Sequence, residues 1–193
     1  MAAKKKKGGT AAGKDAGDLG EFDRRWHLAD TPHEISVTEL EYSLFRVHEA
    51  FLRWQSECLA AVSGKRLSGP DNAVLHVIRM NDRPKAITEI ARLLNRDDIP
   101  NLQYSIRKLL AVDLIEKTGD SAKKGVRYQV TGEGRDVTER YAKLRKALLM
   151  KLTRAFGDWE HQLDDATRVL DLMTGIYDQA ARVAATHRTP IED

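Results

Sequence analysis

Apolar residues recur at steps of three and four through most of the chain, which predicts a protein built mainly from α-helices. The most sharply two-sided stretch runs from Asp97 to Lys117. Asp97 or Asp98 can cap free N–H groups at its start, and Pro100 falls in the first turn, where its missing N–H is not needed. The predicted helix would bury a stripe of apolar side chains, namely Ile99, Leu102, Ile106, Leu109 and Leu110.

A shorter helical pattern precedes this stretch, from Ala86 to Asn95. Thr88 is placed to cap it, and Glu89 lies in the first turn, where a negative charge complements the helix dipole. Only residues 96–98 separate the two patterns. Two short helices joined by so tight a turn predict a helix-turn-helix, whose second helix enters the major groove in proteins that bind DNA.

A hairpin pattern follows the second helix. Residues 114–118 and 126–131 alternate in the manner of strands, and a polar segment from Gly119 to Gly125 joins them. Lys123 and Lys124 lie in this segment. The pattern predicts a two-stranded wing with a basic tip.

A long helical pattern covers Ser36 to Val62, and Ser36 with Glu39 fits a capping box at its start. Apolar residues repeat every seven positions along it in two neighbouring columns: Leu40, Val47, Trp54 and Ala61, and Leu44, Phe51 and Cys58. A seam of about three heptads suits packing against another helix, either of the same chain or of a second copy. A short helix over residues 71–81 comes next.

Two more helices are predicted in the C-terminal part. Thr131 can cap one that extends to about Phe156, and the other covers about Asp164 to Ala185. Their apolar stripes are too large to leave in water, so we expect them to pack with the first long helix, outside the helix-turn-helix. The predicted division is a basic tail (1–20), an arm and long helix (21–69), a winged helix-turn-helix (70–132) and C-terminal helices (133–193).

Composition and charge bound the class of protein. The 193 residues are 41% hydrophobic and 32% charged, and no apolar run has the length of a membrane span. No signal-peptide pattern is present, so we expect a cytoplasmic protein without membrane partners. The net charge is +3, but residues 1–20 hold five lysines against two aspartates, so the remainder is formally neutral. Any field that attracts nucleic acid has to be local.

The polar side of the Asp97–Lys117 helix offers groups that suit DNA. Amide and hydroxyl groups can hydrogen-bond to base edges, and basic groups can bind phosphate. The candidates for DNA contact are Asn101, Gln103, Tyr104, Ser105, Arg107 and Lys108. A solvated polar face is the commonest arrangement of an amphipathic helix, so a face without a partner is the alternative interpretation.

The order of these parts resembles the MarR (multiple antibiotic resistance regulator) family of winged-helix transcription regulators. The resemblance covers about residues 36–152 and is a pattern: Thr88 to Ala91, then Lys108-Leu109 with Leu114 to Lys117, then Val130 to Gly134. This chain has Asp113 where the family usually has glycine. At the wing tip it has Ala122-Lys123-Lys124 where the family usually has Asp-Arg-Arg.

The resemblance implies a mainly α fold with a small β-hairpin wing, in which the N-terminal and C-terminal helices join two copies into a homodimer. Such a dimer would bind double-stranded DNA at a palindromic operator as a sequence-specific transcriptional regulator. The wing would add contacts from Lys123, Lys124 and Arg127, with the lysines binding phosphate because they lack the planar fork of arginine. An effector pocket for a small aromatic molecule is also implied, with Phe51, Trp54 and His76 as candidates.

Other functions find less support in the residues. We expect no enzyme activity and no cofactor, because the chain has no phosphate-binding loop, His-Glu-x-x-His pattern or nucleophile elbow. No metal site is expected, because the six histidines form no pair at i, i+4 and one cysteine is present. Cys58 on an apolar heptad position favours an inert core thiol over a redox switch. A non-specific architectural DNA-binding protein and a winged helix that binds protein stay open as alternatives.

Overall fold

The computed structural model describes residues 26–119, 125–157 and 159–187. The described helices are α1 (Pro32–Ser63), α2 (Gly69–Arg79), α3 (Ile87–Leu93), α4 (Ile99–Ala111), α5 (Gly132–Arg145), α6 (Lys151–Arg154) and α7 (Glu160–His187). The described strands are β1 (Lys85–Ala86), β2 (Ile115–Thr118) and β3 (Arg127–Val130). A 3-10 turn at Met80–Asp82 follows α2, and a π-helical turn at Lys146–Met150 joins α5 to α6. The predicted mainly α fold with a small β wing is confirmed.

The chain divides into two compact units, residues 1–49 and 50–193. In the first unit, α1 begins at Pro32 and not at the predicted Ser36. The capping box is formed by Thr31 and Glu34: the Thr31 N–H donates to the Glu34 carboxylate at 2.8 Å, and the Glu34 N–H donates to the Thr31 hydroxyl at 3.3 Å. The Ser36 hydroxyl instead donates to the Pro32 carbonyl inside the helix. The predicted cap was wrong because Pro32 is itself a favourable first helical residue.

The second unit contains one core of fully buried apolar side chains. Leu102, Ile106 and Leu109 of α4 are each at most 2% exposed, as their spacing predicts, while Ile99 and Leu110 pack at the edge of the core. They lie against buried residues of the other elements: Leu59, Val74, Leu75, Ile78, Ile90, Leu114, Ile115, Val130 and Val137. Burial on one side holds α4 in place and leaves its other side to solvent.

A buried lysine closes the C-terminal end of α2. Lys85 is 0% exposed, and its ammonium donates to the carbonyl oxygens of Ile78 and Arg83 at 3.2 Å and to that of Met80. An unpaired ammonium would be costly in this position, but here all three donors are satisfied by carbonyls at a helix end. Lys85 belongs to β1, a strand that the sequence did not predict because two residues are too few for alternation to appear.

The three strands form one antiparallel sheet in the order β1-β3-β2. In the predicted hairpin, Ile115 pairs with Val130 and Thr118 with Arg127. On the other side of β3, Lys85 pairs with Tyr128. The sheet therefore joins the segment before α3 to strand β3 of the wing. Among the described residues, no helix combines the length and the apolarity that crossing a lipid bilayer requires.

Candidate nucleic-acid interface

The second helix of the predicted helix-turn-helix, α4, begins at a turn fixed by a bidentate ion pair. Arg96 donates from Nε and Nη2 to the two carboxylate oxygens of Asp98, at 2.8 and 2.9 Å. The Asn101 side-chain amide also donates to Asp98, at 3.1 Å. The pKa of Asp98 is held below its ordinary value mainly by the hydrogen bonds from Arg96 and, to a smaller extent, by that from Asn101. With its carboxylate so engaged, Asp98 occupies the N-cap position without capping by its side chain, contrary to prediction.

The start of α3 also differs from its prediction. The helix begins at Ile87, and its N-cap is Ala86, which has no side chain able to accept a hydrogen bond. Thr88 therefore lies inside the helix and does not cap it. The reason is the pairing of Lys85 and Ala86 with β3, which fixes an extended backbone immediately before the helix.

Four of the predicted DNA-contacting residues lie on the solvent side of α4. Asn101, Gln103, Tyr104 and Arg107 are all exposed, and 57% of Tyr104 is accessible. The Arg107 guanidinium carbon lies 5.9 Å from the centre of the Tyr104 ring, within the range of a cation–π contact. This face presents amide, phenol and guanidinium groups together, which are the groups that hydrogen-bond to base edges.

Two further predicted residues on α4 are held by a buried carboxylate. Ser105 is 4% exposed, and the Lys108 ammonium forms an ion pair with Asp71 of α2, whose side chain is 1% exposed. The predicted placement of Ser105 on the solvent side was wrong, because its hydroxyl hydrogen-bonds to the buried Asp71 carboxylate. The Lys108 ammonium bonds to the same carboxylate, while 29% of the Lys108 side chain stays exposed. Burial alone would raise the pKa of Asp71. Hydrogen bonds from Lys108, Ser68 and Ser105 together outweigh this effect, so the pKa lies below its ordinary value.

Helix α4 is terminated by a residue with a left-handed backbone conformation. Asp113, which stands where the resembled family has glycine, has a φ of +59°. The Leu114 N–H bonds to the Leu109 carbonyl at 3.0 Å and the Asp113 N–H to the Leu110 carbonyl at 3.1 Å, which is the Schellman pattern of helix ends. An aspartate therefore terminates α4 with the geometry that glycine ordinarily supplies.

The wing is described up to its tip. Arg127, the first residue of β3, is exposed, and its guanidinium lies 3.4 Å from the Pro84 carbonyl oxygen. The Gln129 amide bonds across the strands to the Glu116 carboxylate at 2.6 Å. The predicted tip residues Lys123 and Lys124, like the basic tail 1–20, lie outside the described residues.

Two of the three predicted effector-binding residues, Trp54 and His76, contribute to one partly buried polar cluster. The His76 ring lies 4.5 Å from that of Tyr141 on α5, and the Tyr141 side chain is hydrogen-bonded to those of Asn72 and Trp54. Burial lowers the pKa of His76, so the ring is held neutral. Phe51 is not part of this cluster and is 53% exposed.

Asn72 and Tyr141 were not predicted as site residues. Tyr141 appeared as one member of the apolar stripe of its helix, and no local pattern singles out Asn72. Asn72 is 1% exposed, and its Oδ1 atom and the Nε2 atom of His76 are buried without a hydrogen-bond partner within residues 26–119, 125–157 and 159–187. The cluster thus has polar capacity that the described side chains do not use.

Two other kinds of site were considered in the sequence, a reactive cysteine and a metal site. Cys58 is 4% exposed, and burial, followed by the nearby Glu57 charge, raises the pKa of its thiol, which disfavours the reactive thiolate. No group of three or more histidine, cysteine, aspartate or glutamate side chains with the geometry of a metal site occurs in the described part of the chain.

Comparison with known proteins places this geometry in a family of domains. Residues 67–134 match the family model of a winged helix DNA-binding domain. No curated protein matches the sequence. In structure the chain is similar to Staphylococcus aureus MarR in complex with salicylate and kanamycin, with a TM-score of 0.60 and 16% identity over 76% of this chain and 95% of that one.

Two further solved structures show the same likeness. The M. tuberculosis transcriptional regulator MosR in complex with DNA gives a TM-score of 0.54 and 16% identity over 70% of this chain and 96% of that one. A MarR/EmrR family regulator from Acinetobacter sp. ADP1 gives a TM-score of 0.60 and 14% identity over 74% of this chain and 97% of that one. Residues 67–134 therefore match a winged helix DNA-binding domain, and the chain has the fold of solved MarR-family transcriptional regulators.

Proposed function

We propose that this protein is a transcriptional regulator that binds double-stranded DNA and reads its sequence through α4. The observation that carries the proposal is the two-sided burial of that helix: Leu102 and Leu109 are fully buried, while Gln103, Tyr104 and Arg107 face solvent. A fixed helix with exposed amide, phenol and guanidinium groups suits the major groove. Asn101, Arg127 and the tip residues Lys123 and Lys124 complete the proposed DNA-binding set.

The active form is proposed to be a homodimer on a palindromic operator. Helix α7 has 28 residues and buries none of them in the single chain. Its exposed apolar side chains repeat at seven-residue intervals in two columns: Leu163, Leu170 and Tyr177, and Val169, Ile176 and Val183. So large an apolar surface is stabilised by a second copy, and a two-fold axis presents two α4 helices to successive major grooves.

A small aromatic effector is proposed to bind at the cluster of Trp54, His76, Asn72 and Tyr141. Aromatic rings with a few convergent polar atoms are the usual lining of a small-molecule site, and Asn72 Oδ1 and His76 Nε2 have hydrogen-bonding capacity to offer. Salicylate is bound by the similar Staphylococcus aureus protein. Phe51 is 53% exposed and outside this cluster, so at most a peripheral contact is proposed for it.

The experiment is selection of duplexes from a randomised DNA library by the purified full chain, followed by footprinting of the recovered sequence. The expected result is one inverted-repeat motif, protected over two half-sites about one helical turn apart. Uniform coating without a motif would favour the architectural alternative. The absence of any salt-sensitive DNA affinity would favour a winged helix that binds protein.

A further inference from the structure

Asp71 lies at the meeting point of α2 and the DNA-facing helix α4. Its carboxylate accepts hydrogen bonds from the Ser68 N–H and the Ser68 hydroxyl, each at 2.8 Å, and it forms an ion pair with the Lys108 ammonium. The Ser105 hydroxyl is a further partner. One carboxylate on α2 thus holds two side chains of α4 that are three residues apart.

The position of this carboxylate is fixed from the opposite direction as well. The first turn of α2 packs so closely on α1 that a Cβ atom at Gly69 would lie 2.9 Å from both the carbonyl oxygen and a methyl carbon of Leu52. Ser68 and Asp71 cap this turn reciprocally. Asp71 is therefore a rigid anchor, since neither its backbone nor its side chain can move without breaking packed contacts.

From Asp71 the contacts continue to the exposed face of α4. The Lys108 ammonium, while paired with Asp71, lies 5.6 Å from the centre of the Tyr104 ring, and Arg107 lies over the same ring. The Lys108 side chain is 29% exposed, against 1% for Asp71. A charged lysine kept beside a buried carboxylate has little freedom to reach a phosphate, because leaving would strand the carboxylate without its charge partner.

We propose that Asp71 is a positioning residue for DNA recognition, acting through Lys108 and Ser105 to fix α4 and the Tyr104 side chain, and that Lys108 is withdrawn from phosphate binding. The inference rests on the proposed DNA-binding function. It assigns Asp71 a role in sequence preference although the residue is buried and touches no DNA.

The test compares Asp71→Asn, Lys108→Met and the double variant with the wild type, all as full chains. The probes are a duplex that the wild type recovers from a randomised library and a scrambled duplex of the same composition. Each single variant is expected to lower the preference for the selected over the scrambled duplex about ten-fold, the effect of one lost base contact. The double variant is expected to lose no more than either single variant, because both changes remove the same interaction.

A salt titration separates positioning from phosphate binding. Removal of a lysine that neutralises phosphate lowers the slope of log affinity against log salt by about 0.9 per contact, whereas removal of a positioning lysine leaves the slope unchanged. Lys108→Arg, which keeps a positive charge for Asp71, is expected to restore most of the preference. Lys143→Met, a change at an exposed lysine of α5, serves as the matched control for loss of one charge.

Three results would overturn the inference: a slope lowered by about 0.9 per protomer in Lys108→Met, additive losses in the double variant, or full preference in Asp71→Asn. Thermal unfolding shows whether each variant is folded, and the double variant, which leaves no buried charge unpaired, carries the test if a single variant unfolds. A wild type that selects no sequence would refute the proposed function itself, before any variant is compared.

Discussion

The Thr131 hydroxyl donates a hydrogen bond to the carbonyl oxygen of Asp113, 2.6 Å away, and accepts one from the Gly134 N–H at 3.0 Å. The Thr131 N–H in turn donates to the Leu114 carbonyl at 3.2 Å. One residue therefore closes the end of α4 and caps the start of α5. The end of α4 and the end of the wing are tied at a single point.

Replacement of Asp113 by glycine is expected to stabilise the protein by about 0.5–1 kcal/mol. A left-handed conformation costs a non-glycine residue about 1–2 kcal/mol, and the extra backbone entropy of glycine offsets part of the gain. The hydrogen bonds at this helix end come from backbone atoms and remain. Urea unfolding measures the change, with Asp113→Ala, which keeps the strain, as the control. A glycine variant less stable than wild type would contradict the assignment.

Gly134→Ala is expected to destabilise the fold by about 3 kcal/mol, because overpacking at a rigid contact forces the backbone to shift. A Cβ atom there would lie 1.9 Å from the carbonyl oxygen of Leu114. Gly132→Ala in the same helix is the matched control, since a Cβ atom at Gly132 would have no atom within 4 Å apart from its chain neighbours and its own helix backbone. Thermal unfolding of both variants tests the contact, and equal stabilities would show that Gly134 does not approach the Leu114 backbone this closely.

How far the sequence predicted α4 and its contacts depended on how far apart in the chain the interacting residues lie. The burial of Leu102, Ile106 and Leu109 followed from helical spacing alone. Ser105 lies on the same buried side, three residues after Leu102 and four before Leu109. It was assigned to the solvent side because its side chain is polar, although its spacing from the two leucines predicts burial.

Long-range partners left no such signal. The ion pair of Lys108 with Asp71 joins residues 37 positions apart, and nothing in the local pattern of either helix pairs them. The capping threonine Thr131 was predicted correctly, because a cap depends on its immediate neighbours. Strand β1 was missed because its partner, β3, lies beyond the helix-turn-helix.

The stability of the protein is expected to fall as the pH drops below about 6.5, in part through His76. Burial lowers the pKa of His76 in the folded state, so the unfolded chain binds a proton that the folded chain does not. The contribution of neutral His76 to the free energy of unfolding is complete above the ordinary pKa of histidine. It is lost as the pH falls towards the lowered pKa of the folded state. His76→Phe, which keeps a ring beside Tyr141, is expected to flatten the profile of unfolding free energy between pH 7 and 5. An unchanged profile would mean that His76 is not held neutral.

Gln103→Ala and Tyr104→Ala are expected to reduce preference for the operator more than affinity for random DNA. Both side chains project from the face of α4 opposite its buried stripe, and a lost base contact costs about 1–3 kcal/mol of discrimination. Fluorescence anisotropy with operator and scrambled duplexes measures both quantities. Equal losses on the two duplexes would show that these side chains do not read sequence.

Replacement of Lys123 and Lys124 by alanine is expected to lower the affinity for the operator and for the scrambled duplex equally, and so to leave sequence preference unchanged. A lysine that neutralises phosphate releases a counterion, so two wings could contribute up to about 4 units of salt slope. A salt titration of the double variant on both duplexes gives the measurement. An unchanged slope would mean that the segment between Gly119 and Gly125 points away from DNA.

The pairing of β1 with β3 has a consequence for the order in which the protein folds. Arg127 and Pro84, which meet at this edge of the sheet, are 43 residues apart, and the helix-turn-helix lies wholly between them. Local helices form within about a microsecond. Closing so long a loop costs conformational entropy, and this cost precedes the stabilisation that the strand pairing provides. We expect loop closure to limit the folding rate. During synthesis, α3 and α4 leave the ribosome before the strand that fastens them, so the nascent chain carries an unfinished sheet edge until β3 emerges.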